Sequence, residues 1–237
     1  MSTPWEVHPK SFFDLLFDVV VLLPSILARA DRIFPRDPIL QRRLLAQDLL
    51  ANCLSLEKQF DGWYNSVSPG GICPYGFEDP EQSGAQIPFS DTFAFRDAVT
   101  AIMFIYYWTS LVLFYPCIEH LHQAIFQPVM DAFPQVPPTL PQHLLIEPLK
   151  YSPKEVRELA ANVCRSLDFA LNATVQPDML VVPLFVVQEF YRAINESAGD
   201  GQLELMWCEG FRARLATKGQ DIADVIKDKK WQAVSAY

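Results

Sequence analysis

One stretch limits what this chain can fold into more than any other: residues 93–126, FAFRDAVTAIMFIYYWTSLVLFYPCIEHLHQAIF. No charged residue falls between Ala98 and Ile118. Its apolar side chains occupy every face of a 3.6-residue helix, so the segment is either the centre of a large core or a membrane span. Tyr106, Tyr107 and Trp108 lie in the middle of the run, whereas membrane aromatics gather at the two interfaces. Neither flank carries a basic cluster to set an orientation. The sequence therefore predicts a buried core helix over about 93–126 and no membrane partner.

A core of that kind needs enough chain to surround it, and 237 residues, half of them hydrophobic, supply it. The expected fold is all-α, a single domain over residues 1–237. Acidic residues outnumber basic ones 28 to 19, for a net charge of −9. That balance opposes a phosphate backbone, and the only basic run, Lys227 to Lys230, is too short to offset it. No direct contact with nucleic acid is expected. Cys53, Cys73, Cys117, Cys164 and Cys208 are widely spaced and form no C-x-x-C pair, which fits small buried hydrophobes in a reducing compartment. MSTPWEVHPK lacks the basic-then-apolar order of a secretory leader. An intracellular protein of nucleus or cytoplasm is the expectation.

Ser11, with Asp14 three residues on, reads as the cap of a first helix. Phe12, Leu15, Leu16, Val19, Leu22, Leu23 and Ile26 form its stripe, and Pro24 should break it near Leu23. Pro38 is placed at the first position of a second helix. Leu40, Leu44, Leu45, Asp48, Ala51, Cys53 and Leu54 would line one face, with Arg42, Arg43, Gln47, Glu57 and Lys58 on the solvent face. Residues 65–92 and 127–152 are rich in glycine and proline and are expected to be long loops, the first a surface excursion between two helices that packs back onto the core, with cover over the mouth of a pocket as the alternative. Ser152, Pro153 and Glu155 open another helix with Val156, Leu159, Ala160, Val163, Cys164, Leu167 and Leu171 as its stripe. MLVVPLFVVQEFYRAI has β-branched residues but no strand-like run to pair with, so a helix opening near Pro183 is expected. One or two further helices, broken near Gly219, complete the chain.

Chemistry-bearing motifs are sparse. The sequence contains no phosphate loop, dinucleotide fingerprint, zinc-protease helix or nucleophile elbow, so no cofactor and no metal site is expected. Glu119-His120-Leu121-His122 is the sole histidine cluster. On a helix His120 and His122 point about 200° apart and cannot share a metal. Glu119 and His122 are neighbours at i, i+3, and a solvated helix end accounts for them. Arg165 and Asp168 are likewise placed as a helix-surface pair. Most buried tyrosines, such as Tyr106, Tyr107 and Tyr115, satisfy their hydroxyls locally, and a minority hold a polar ligand.

Four segments carry a family likeness: STPWEVHPKSFFDLLFDVVVLLPSILARAD, IPFSDTFAFRDAVTAIMFIYYWTSLVLFYPCI, VCRSLDFALNATVQPDMLVVPLFVVQEFYRA and LELMWCEGFRARLATKGQDIADVI. They resemble the fungal-specific transcription-factor domain, the regulatory part of binuclear zinc-cluster regulators. The resemblance implies an all-α fold and a regulatory role: sensing a small apolar or aromatic metabolite, contacting a second copy in a homo-oligomer, or recruiting a protein partner. The six closely spaced cysteines of the family's DNA-binding module have no counterpart here. The alternative is a stand-alone, cofactor-independent enzyme of secondary metabolism, a cyclase, cycloaddition catalyst, dehydratase or isomerase. The pocket would then lie under residues 65–91. Tyr106, Tyr107, Trp108, Tyr115, Arg96 and Asp97 are the candidate ligand contacts; His122, His120, Tyr107 and Glu119 are the candidate acid–base groups, since such reactions need mainly orientation and one proton transfer.

Overall fold

The computed structural model describes residues 9–68, 75–77, 88–89, 91–131, 138–174 and 176–228, with side chains as far as 220. Among them are seven α-helices: α1 (Phe12–Val20), α2 (Leu23–Ile33), α3 (Leu40–Val67), α4 (Ala98–Phe126), α5 (Pro153–Ala173), α6 (Val181–Ala198) and α7 (Gln202–Asp228). The one sheet described is a two-stranded ribbon, β1 (Tyr75–Phe77) antiparallel to β2 (Phe93–Phe95), with Tyr75 opposite Phe95. The fold is all-α. Within residues 1–237, expected as one domain, the described residues cluster into two compact units. One draws on Met1–Cys73 and Ser110–Leu159, the other on Pro74–Thr109 and Ala160–Tyr237.

The central helix is α4. It is long and apolar enough to cross a membrane, yet 83% of its most apolar window is buried inside the protein. The burial explains why apolar residues occupy all its faces. Residues 93–95, expected as its first turn, are instead the β2 strand. The helix starts after Asp97, whose carboxylate accepts from the Thr100 backbone N–H and hydroxyl, both at 2.8 Å.

In the first unit α1 and α2 pack on α3. Ser11 and Asp14 form a full capping box, and the chain breaks between α1 and α2 ahead of Pro24, as their sequence requires. The α3 helix corrects three expectations. Its N-cap is Ile39, so Pro38 lies just outside the helix. Leu40 and Leu44, assigned to the apolar stripe, are exposed. Arg43 and Glu57, assigned to solvent, are buried. Their partners come from distant sequence. Arg43 donates to the Gln127 carbonyl at 2.9 Å, while Arg42 donates to the Phe34 carbonyl at 3.2 Å and the Gln127 side chain at 2.6 Å. Two guanidiniums thus serve the carboxyl ends of α2 and α4, where cations are favoured. Residues 142–144 and 148–151 of the proline-rich connector form 3-10 turns.

In the second unit an aromatic cluster of Tyr75, Phe93, Phe95, Phe104 and Trp108 has ring centroids 4.5–6.3 Å apart. Phe89 meets Trp207 edge-on at 5.0 Å, and Trp207 stacks on Phe211 at 5.4 Å. Helix α7 runs unbroken through Gly219, contrary to the expected break. Helices α6 and α7 are joined by Gly199, Asp200 and Gly201, a connection so short that the two must run antiparallel. Both glycines are required. Gly199 caps α6 at φ 66°, and Gly201, at φ 93°, would place a Cβ 3.2 Å from the Tyr191 carbonyl.

Candidate functional site

The antiparallel hairpin carries a cavity between its two helices. On α6 the positions 181, 184, 185 and 188 recur at i, i+3, i+4 and i+7; on α7 the positions 212, 215, 216 and 219 repeat that spacing. Both stripes line one cavity of about 600 Å³, together with Pro177 and Asp178 of the 3-10 turn Pro177–Leu180. That volume is in the range that small-molecule sites occupy.

The walls are apolar and part of them is open to solvent. Leu184 and Leu215 are buried, whereas Phe185 is 60% exposed and Val181 52%. The polar groups are few. Gln188 is only 7% exposed and lines the cavity, and among the described residues its amide has no hydrogen-bond partner. The residue is buried, but its amide atoms are still reached by solvent. Arg212 and Asp178 are exposed and also line the cavity.

None of the nine residues singled out from sequence lines this cavity. Tyr106 comes nearest, its hydroxyl donating at 3.0 Å to the Met179 carbonyl in the same 3-10 turn. Tyr107 and Trp108 are buried, with Phe104 against both. Arg96 pairs with Asp97 at 2.9 Å, and Asp97 caps α4. The Thr100 hydrogen bonds hold the Asp97 carboxyl below its ordinary range. Most of the 65–91 segment expected to roof a pocket lies outside the described residues, as does Cys73.

His120 reaches a depression. A second hollow of about 780 Å³ is lined by Phe34, Arg42, His120, Gln123, Ala124, Phe126 and Gln127. His120 meets Phe34 edge-on at 5.7 Å, while His122 lies against Phe126 at 4.7 Å, so the two imidazoles face different neighbours. Burial lowers the His122 pKa below its usual value. Glu119 accepts from Gln123 at 3.2 Å. Among the described residues no group of three histidine, cysteine, aspartate or glutamate side chains is arranged to hold a metal.

Tyr115 belongs to a closed polar cluster. Its ring meets Tyr151 edge-on at 5.1 Å, and the Tyr151 hydroxyl donates to both Glu57 oxygens at 2.8 and 2.9 Å. Lys150 completes it, 2.8 Å from Glu57 and 3.7 Å from Asp61. Burial raises Tyr115 to about 12; burial and the Glu57 hydrogen bond raise Tyr151 further.

The sequence reading missed Gln188, Arg212 and Asp178. The available signal was two i, i+3, i+4, i+7 stripes flanking a Gly-Asp-Gly turn, with one amide inside an otherwise apolar stripe. No protein-family model, curated protein or solved structure matches this chain.

Proposed function

We propose that this chain acts as a regulatory-domain-like protein that binds a small apolar or aromatic metabolite in the α6–α7 cavity. The observation that carries the reading is a cavity of about 600 Å³ whose wall includes exposed Phe185 and the unpartnered amide of buried Gln188. An apolar guest would cover the first and a polar atom of that guest would satisfy the second. Asp178 is the one acid–base side chain in the described lining, without a second such group to work against, which favours recognition over acid–base turnover. The resemblance of the sequence to a fungal regulatory domain supports the same role, in nucleus or cytoplasm, with DNA contact left to another chain.

The test is a titration with N-phenyl-1-naphthylamine, an uncharged dye that brightens in apolar sites. Saturable binding is expected, and Ala216→Trp, on the solvent side of the groove, should abolish it without unfolding the protein. Undiminished binding by that variant would overturn the site assignment. Fusion to a heterologous DNA-binding module tests the regulatory role, since reporter output should change; an inert fusion would count against it.

A further inference from the structure

We infer that Cys53 on α3 and Cys117 on α4 form a redox pair, a dithiol that closes to a disulfide when the protein meets a hydroperoxide. Both residues belong to the first unit, and both thiols are free and buried in the structure. Nothing in this pairing depends on the α6–α7 cavity.

Contacts on either side of the pair fix it. Helices α3 and α4 run antiparallel, since Arg43 donates to the Gln127 carbonyl at 2.9 Å while Phe60 meets Phe114 with ring centroids 5.9 Å apart. Between those contacts Cys53 and Cys117 lie equally far along their helices from Arg43 and Gln127, which brings the two sulfurs together. There the Cys53 S–H donates to the Cys117 sulfur. That bond lowers the Cys117 pKa below its ordinary value and raises that of Cys53. The roles follow from it. Cys117, still 5% exposed, is the sulfur that attacks the oxidant, and Cys53, at 0%, keeps its proton and resolves the product. Pro116, beside Cys117 and inside α4, cannot donate the helical bond to Val112, so the helix gives most easily where a small oxidant must enter.

The step balances with hydrogen peroxide as oxidant. The Cys117 thiolate attacks one peroxide oxygen, the O–O bond breaks, and the departing hydroxide takes up the Cys117 proton as water, leaving a sulfenic acid. The Cys53 sulfur then displaces the sulfenic oxygen: the S–S bond forms, the S–O bond breaks, and a second water leaves with the Cys53 proton. The two sulfurs give up two electrons and the peroxide is reduced by them. A small thiol reverses the link, as a reversible redox device in a reducing compartment requires.

Disulfide mapping of the full native chain tests this. The reduced protein, freed of reductant, is treated with hydrogen peroxide, then unfolded in urea with N-ethylmaleimide to cap every remaining thiol, and digested for mass spectrometry. A linked peptide joining Cys53 to Cys117 is expected, absent before peroxide and lost again with dithiothreitol, together with loss of the maleimide adducts at both positions. The same treatment of urea-unfolded chain should scatter the bonds among the cysteines, because the fold no longer selects partners. Cys53→Ala, which removes the resolving thiol, should strand the Cys117 sulfenic acid, so that dimedone labels Cys117 in the variant and not in the parent. Recovery of Cys53 and Cys117 as maleimide adducts after native oxidation would overturn the pair. So would bonds from either residue to another cysteine, or one and the same pattern from native and unfolded chain.

Discussion

The Glu57 cluster and the α6–α7 cavity each place polar groups among apolar side chains, and they resolve the cost in opposite ways. Around Glu57 the groups answer one another: the Tyr151 hydroxyl and the Lys150 ammonium converge on a carboxylate that is 7% exposed. At Gln188 the residue is as little exposed, but its amide has no partner among the described residues and is still reached by solvent. A closed network fixes a fold; half a network beside a cavity is arranged for something that arrives later. Burial alone therefore does not identify function, and the state of the hydrogen bonds does.

The largest effect should come from breaking the closed side. Glu57→Ala removes the acceptor for both Tyr151 and Lys150 and should cost about 3 kcal/mol, read from urea unfolding. A loss below about 0.5 kcal/mol would show the network to be ornamental to stability. Alkali should strain the same cluster. Tyr115 and Tyr151 have raised pKa values in the folded chain, so the native state keeps protons that the unfolded state releases above pH of about 10. Stability is then fully present below that pH and falls as pH rises toward about 12, the value for Tyr115. Tyr115→Phe should flatten the decline measured by thermal melts between those limits; an unaltered slope would remove that hydroxyl from the account.

How much of this could be read from sequence divides along the same line. The core helix α4 was legible because apolar residues on every face have one soluble explanation, and the Ser11–Asp14 cap was legible because its spacing is local. Glu57 and Arg43 were not. Charged residues in an amphipathic stretch read as solvent-facing, and the groups that bury them, Tyr151 and the Gln127 carbonyl, lie 94 and 84 residues away. The cavity had a sequence trace in its two stripes, yet the pattern that marks a groove also marks a packed helix interface. Only the fold shows that the paired stripes of α6 and α7 enclose open space. The tyrosines and tryptophan at 106–108 drew attention as the densest aromatic cluster, and in the structure Tyr107 and Trp108 serve the core.

On the open side the loss should be absent. Gln188→Leu replaces an unpartnered, solvent-reached amide with an apolar side chain of similar size and should keep the ligand-free protein within about 1 kcal/mol of the parent. A larger destabilisation would mean the amide is already satisfied, and the contrast with Glu57 would collapse. The smallest effect belongs to Phe185→Ala. Because that ring is 60% exposed, stability should stay within about 0.5 kcal/mol of the parent while dye binding weakens. Unchanged binding would take Phe185 out of the wall.

The central claim, that the α6–α7 cavity is where this protein meets its ligand, is tested most directly by nuclear magnetic resonance of the isotope-labelled chain. The Gln188 side-chain amide is assigned by its loss in Gln188→Leu, and N-phenyl-1-naphthylamine is then titrated in. The account predicts that this amide shifts together with backbone signals between 177 and 219, while those of Glu57 and Tyr151 stay still. Shifts centred on Glu57, on His120 or on the Trp108 cluster, with the Gln188 amide unmoved, would contradict it.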